Sequence, residues 1–238
     1  MSDHAHAFNL PNWERTVGHS RFMTYTSELE RELVVHASEL AGTPTRALDF
    51  GCEAGRFSQI LAGLGWSMIC ADTNTEALEL CQQRIPGALC VALSEENRRI
   101  PCEDSSLGVI LCIECPVMPT EWFAREASRA LRDGGTLVGV LHNKLSWRGA
   151  VSHMLALLRN RQDWYSTSYP AWRTAMRDRG FKIVREVGLR WPPFALTSNS
   201  PLLPLALRIE RGMGLQKLPS VSPLVAFVAM KTEPSLPD

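Results

Sequence analysis

Residues 48–56 read LDFGCEAGR, and the fold turns on how this stretch is read. A short apolar run carries into Asp49 and Phe50, Gly51 and Gly55 follow at turn spacing, and FSQILAGL beyond them is spaced like a helix. A strand passing through a glycine-rich turn into a helix is the opening of a β-α-β unit. In such a turn the glycines let the backbone approach a ligand, and the free N–H groups of the next helix, expected from about Arg56 to Leu64, attract an anion. The discordant residue is Glu53, charged and not glycine, at the centre of the turn.

Working outward, strand-like and helix-like segments alternate: RALDF, the helix after the turn, SMICAD, a helix from Thr75 to about Arg84, ALCVAL and LGVILCIE. A further helix over about Glu121 to Leu131, a DGG turn and the strand TLVGVLHN continue the alternation. This order predicts an α/β fold with a doubly wound, mostly parallel sheet. Upstream, TSELERELVVHASELAG places Leu29, Leu33, Val34 and Leu40 near helical spacing and stops at Gly42, so an amphipathic helix leads into the sheet. With 238 residues, 45% hydrophobic and 21% charged, the chain suits one core. The expected organisation is a single domain over 1–238, with an N-terminal helical cap over 1–45, a ligand-binding core over 46–144, and substrate-covering segments plus the last strands over 145–238.

Lys+Arg and Asp+Glu are both 25, and no basic block stands out, so nucleic acid is not an expected partner. MSDHAHAFNLPNWER lacks the basic and apolar regions of a secretion signal, and no apolar run is long enough to span a bilayer. A cytoplasmic location without integral membrane association is expected. The 7 cysteines show no paired CxxC knuckles, which predicts reduced core residues and no metal.

Ligands of doubly wound sheets bind beyond the carboxyl ends of the strands. There, Asp72 ends the second strand, where a carboxylate can accept hydrogen bonds from both hydroxyls of a ribose. A glycine turn alone is a weak signal; a glycine turn followed by a strand ending in an acid is stronger. A nicotinamide dehydrogenase would need G-x-G-x-x-G after the first strand, but the next glycine after Gly55 is Gly63.

The segments ALDFGCEAGRFSQILAGLGWSMICADTNTEAL, RIPCEDSSLGVILCIE and EASRALRDGGTLVGVLHN together resemble the class I S-adenosylmethionine-dependent methyltransferases, in order, over residues 46–143. The resemblance implies S-adenosylmethionine as cofactor and a seven-stranded, Rossmann-like sheet closed by a C-terminal antiparallel hairpin, for which FKIVREVGLRW and LVAFVAMK are the natural last strands. It places Asp49, Gly51 and Gly55 around the methionine moiety, Asp72 on the ribose, Thr73 near the adenine edge, and Glu95 or Glu96 on the adenine amino group. Glu114, Cys115 and Pro116 would form the floor near the transferred methyl. Glu53 stands where the family has a glycine, and could pair with the cofactor ammonium or point to solvent. Leu107-Gly108 departs from the aromatic-Asp pair that usually begins the fourth strand. These departures keep open a second reading, a methyltransferase-like protein that binds without catalysis.

A sulfonium is already an activated electrophile, so methyl transfer requires alignment, exclusion of water and, for a hydroxyl acceptor, removal of a proton. His142 and His153 are the candidate bases. The segments LSWRGAVSHMLALLRNRQDWY and WPPFALTSNSPLLPLALRIERGMGLQ are rich in Trp, Met, Leu and Arg, as a lid over the acceptor would be. The expected acceptor is a small apolar molecule, methylated at oxygen first of all, with nitrogen and carbon open.

Overall fold

The computed structural model describes residues 20–94, 96–159 and 165–232; Glu95 and the residues before Ser20 lie outside them. In chain order the elements are α1 (Arg21–Ala41), β1 (Arg46–Phe50), α2 (Ser58–Gly63), β2 (Ser67–Asp72), α3 (Thr75–Arg84), β3 (Leu89–Ala92) and β4 (Leu107–Cys112). Then follow α4 (Glu121–Ala130), β5 (Leu131–His142), α5 (Trp147–Arg159), α6 (Tyr169–Asp178), β6 (Phe181–Leu189), α7 (Leu203–Gly212), a 3-10 turn (Leu215–Lys217) and β7 (Leu224–Lys231).

The strands form one sheet in the order β3-β2-β1-β4-β5-β7-β6. The pairs β1-β2, β2-β3, β1-β4 and β4-β5 are parallel, and β7 runs antiparallel to both β5 and β6. Insertion of an antiparallel β7 next to β5 departs from the 3-2-1-4-5-6 order of dinucleotide-binding sheets, a topology unlike that of the dehydrogenase alternative. Strand order reverses between β1 and β4, where Asp49 lies opposite Leu111. That reversal is where a ligand crevice opens in open α/β sheets.

Both faces of the sheet are covered, so the central strands read as continuous apolar runs; every residue of β4 is buried. Ala47, Met68, Cys70, Val109 and Leu111 face a layer containing Leu33, Val34 and Ala37 of α1, Leu61 of α2 and Leu78 and Cys81 of α3. Leu48, Phe50, Ile69 and Ile110 face the opposite layer, with Phe123, Ala124 and Ala127 of α4 and Tyr169, Trp172 and Met176 of α6.

Three boundaries differ from the sequence expectation. α1 starts earlier, because Ser20 caps it by accepting the Met23 N–H, and its buried stripe runs through Phe22, Glu30, Leu33 and Ala37, leaving Leu40 exposed. β5 begins at Leu131 and takes in the DGG expected as a free turn, with a shift of register against β4 between Leu107 and Val109. The helix expected from Arg56 begins only at Ser58 and runs to Gly63. So short a helix aligns few peptide dipoles, which weakens the attraction of its N-terminus for an anion.

Candidate active site

β1 delivers Asp49 to the switch point, buried. Ser58 Oγ donates to its Oδ2 at 2.6 Å. Burial pushes the Asp49 carboxyl up to about 7 against the pull of that hydrogen bond, with smaller upward contributions from Cys70, Asp72 and Glu53. The turn that follows has little room for side chains. Gly51 and Gly55 hold φ of +77° and +80°, and a Cβ would lie 2.7 Å from Cys115 Sγ at the first and 2.6 Å from Cys81 Sγ at the second. The Gly51 N–H donates to Ala71 O at 2.8 Å and the Gly55 N–H to Cys52 O at 2.9 Å, closing the turn onto β2.

Glu53 adopts φ 47°, a left-handed conformation that costs a non-glycine residue roughly 1 kcal/mol. Its side chain is exposed, and its backbone N–H donates to Asp72 Oδ2 at 2.9 Å. The other oxygen, Oδ1, accepts the Asn74 N–H, also at 2.9 Å. The Asp72 carboxylate is thereby pinned at the end of β2 by one donor on each oxygen. A carboxylate oxygen has two acceptor sites, so each keeps capacity for a ligand hydroxyl.

A second cluster lies at the ends of β4, β5 and β6. Glu114, just past β4, ion-pairs with Arg190, just past β6. Both are non-glycine residues at positive φ, 55° and 65°, and strained backbone of this kind collects at functional sites. Arg190 is 3% exposed, and its Nε has no hydrogen-bond partner among the described residues. Arg148 of α5 donates to the carbonyls of Arg190 (3.0 Å), Pro192 (2.5 Å) and Phe194 (2.9 Å), fixing the chain after β6.

Glu30 of α1, 1% exposed, faces the same cluster. Burial, then the Glu114 charge, pushes its carboxyl up to about 8 against the pull of Arg56 and Arg190. Arg56 comes within 3.8 Å but is 41% exposed, so solvent screens its attraction. His142 ends β5, its ring edge-on to Tyr165 at 5.2 Å between centroids. Burial, aided by Arg190 and opposed by Glu114, lowers it to about 4. Both shifts favour the neutral forms, protonated Glu30 and unprotonated His142. Cys115 is drawn below the ordinary thiol range by a hydrogen bond from Cys112, with the Val117 backbone assisting and burial opposing.

Residues 48–139 match the methyltransferase-domain family. An uncharacterised methyltransferase-like protein of Schizosaccharomyces pombe is 30% identical over 137 residues, a match covering 54% of this chain and 50% of that relative. The chain thus spans about half the length of the curated relative it matches. Two solved structures share the fold at low identity. One is a candidate sarcosine dimethylglycine methyltransferase of Galdieria sulphuraria, with TM-score 0.62, 13% identity, and coverage of 94% of this chain and 98% of that one. The other is a geranyl diphosphate methyltransferase bound to S-adenosylmethionine, with TM-score 0.57, 17% identity, and coverage of 92% and 95%. Residues 48–139 thus match a methyltransferase domain, and the chain around them has the fold of S-adenosylmethionine-dependent methyltransferases.

Within this methyltransferase domain, Asp49, Gly51, Glu53, Gly55 and Asp72 converge on one turn, and Cys115 reaches it through its close approach to Gly51. Glu114 and His142 belong to the adjoining cluster around Arg190. Thr73 is exposed just past Asp72, Glu96 is exposed past β3, and His153 is exposed on α5. Sequence reading missed Glu30, Ser58, Arg148 and Arg190. One signal was available: Glu30 falls on the apolar stripe of α1, between Thr26 and Leu33, where a charged residue calls for an explanation. Arg190 gave no local signal, because its partner is 76 residues away in the chain.

Proposed function

We propose that the chain transfers a methyl group from S-adenosylmethionine to the oxygen of a small molecule with a largely apolar body, acting in the cytosol. The observation that carries this reading is the pinned Asp72 carboxylate beside two glycines at the reversal of strand order. Asp72 would take the ribose hydroxyls, Gly51 and Gly55 the methionine end, and Asp49 the ammonium, whose positive charge favours the ionised carboxylate. Glu53, exposed on the turn, is a second carboxylate for that ammonium. Thr73 and one of Glu95 and Glu96 would border the adenine, and Cys115 the transferred methyl.

The cofactor supplies the electrophilic methyl; the protein supplies position, dryness and a place for the proton. His142, neutral at physiological pH and grouped with Glu114 and Arg190, suits the proton-handling role better than the exposed His153. The apolar body of the acceptor would lie under 145–159 and 191–215, whose Trp147, Met154, Leu158, Leu205 and Ile209 are exposed. Among the described residues no helix is long and apolar enough to cross a membrane.

Calorimetric titration with S-adenosylmethionine and S-adenosylhomocysteine tests the cofactor assignment, with micromolar binding of both expected. Absence of binding by a folded protein would leave a methyltransferase-like fold without that cofactor. Transfer of a labelled methyl to a panel of phenols, isoprenoid alcohols, carboxylic acids and amines tests the acceptor; labelling of amines alone would overturn the assignment to oxygen.

A further inference from the structure

Beneath the cofactor turn, the Sγ atoms of Cys52, Cys70 and Cys81 all lie within 4.8 Å of one another, and all three residues are buried. They come from separate elements: Cys52 from the turn between Gly51 and Gly55, Cys70 from β2 and Cys81 from α3. A fourth cysteine is close. Cys90 of β3 stands directly opposite Cys70 in the parallel register, and both side chains point into the layer that holds Cys52 and Cys81. The absence of CxxC spacing concealed this grouping in the sequence, because the sheet and one helix assemble it.

We propose that Cys52, Cys70 and Cys81 form a thiolate site for one thiophilic d10 cation, Zn2+ or Cu+. Sulfur atoms around a zinc ion at about 2.3 Å sit roughly 3.8 Å apart in a tetrahedron, so closing the triangle asks each side chain to move by about 1 Å or less. Three sulfurs satisfy a trigonal Cu+ site; Zn2+ would draw in Cys90 as fourth ligand. The surroundings are mostly apolar, with Ser58 and Asp49 the polar side chains that act on Cys70 and Cys52, closer to a closed structural site than to a catalytic one with an open position. The turn already packs against the cluster, since a Cβ at Gly55 would lie 2.6 Å from Cys81 Sγ. A bound cation would staple the turn to β2 and α3.

The test uses the whole chain, reduced with a phosphine under argon and freed of metal. Titration with Co2+ as optical probe should show thiolate-to-cobalt charge-transfer absorption saturating at one equivalent, with release of about two to four protons. Zn2+ should bleach it. Cu+, delivered from a competing chelator, is the second arm; retention of Cu+ with failure of Zn2+ would specify the trigonal form. Cys70→Ser and Cys81→Ser should each weaken binding at least about tenfold, the lower end of what losing a mere outer-shell partner costs, and Cys102→Ser should not. Failure of both metals to form a stoichiometric complex, or undiminished binding by the two cluster variants, would overturn the proposal. Should those variants fail to fold, alkylation of the unmutated chain in sub-denaturing urea decides the matter. Metal should protect the peptides bearing Cys52, Cys70 and Cys81 but not Cys102, and equal labelling with and without metal would refute the site. None of these readouts depends on methyl transfer.

Discussion

At the scale of single residues, Asp72 and Glu53 are one device. The carboxylate that would receive the ribose also accepts the Glu53 and Asn74 N–H groups, so it holds the turn as well as the ligand. Asp72→Ala should weaken S-adenosylmethionine binding by roughly 2 to 4 kcal/mol, the value of two charge-assisted hydrogen bonds, while the protein stays folded. An unchanged dissociation constant by calorimetry would take Asp72 out of the site. Glu53→Gly addresses the one turn position that departs from glycine. It should raise unfolding free energy by about 0.5 to 1 kcal/mol in urea, because φ 47° costs a glycine nothing, and should leave cofactor affinity within about tenfold. A wild type that fails to bind beside a glycine variant that binds strongly would identify Glu53 as the residue that disables the pocket, and would favour the binding protein without catalysis.

At the scale of elements, the segments after β5 and after β6 are not independent covers. Arg148 of α5 donates to three carbonyls between Arg190 and Phe194, so one guanidinium ties the start of the first segment to the start of the second. Arg148→Ala should therefore lower methyl transfer by about tenfold or more while leaving the cofactor dissociation constant unchanged, and shortening either segment should do the same more severely. Paired binding and turnover assays check this; loss of cofactor binding in a folded variant would move the segments to the cofactor side. The contrast between these segments and the core also explains what the sequence made legible. The strands β1, β2 and β4 were readable because burial on both faces turns them into apolar runs, and the candidate site residues Asp49 and Asp72 were readable because each lies at or next to the end of such a run. β5 was shortened in the reading because Asp133, Gly134 and Gly135 are turn residues by type; they lie where the register against β4 shifts, between Leu131 opposite Leu107 and Thr136 opposite Val109, and Gly134 holds φ +73°. Arg190 and the cysteine cluster were invisible because their neighbours come together through β-strand pairing across long stretches of chain.

At the scale of the whole molecule, Glu30 connects the leading helix to the far ends of the sheet. It sits buried on α1 and faces the Glu114 and Arg190 pair at the ends of β4 and β6, with Arg56 approaching from the glycine turn. Its carboxyl is pushed from 4.5 to about 8, by burial first and by the Glu114 charge second. A carboxyl raised in the folded state binds a proton there that the unfolded chain has already released, so the stability Glu30 contributes is greatest below about 4.5, falls as pH rises, and levels off above about 8. Each pKa unit corresponds to about 1.4 kcal/mol, which makes the loss on the order of 5 kcal/mol and, in a chain of this size, on the order of 10 to 20 °C in Tm. Glu30→Gln keeps the shape of the protonated acid and cannot ionise. Its Tm should match the wild type at pH 5 and exceed it by most of that loss at pH 9, as long as Arg190 retains Glu114 as its counter-ion. Calorimetric melts of both proteins at the two pH values measure the difference. A glutamine variant less stable than the wild type at pH 9 would mean that Glu30 is ionised in the folded protein and that its attraction to Arg56 and Arg190 outweighs its burial.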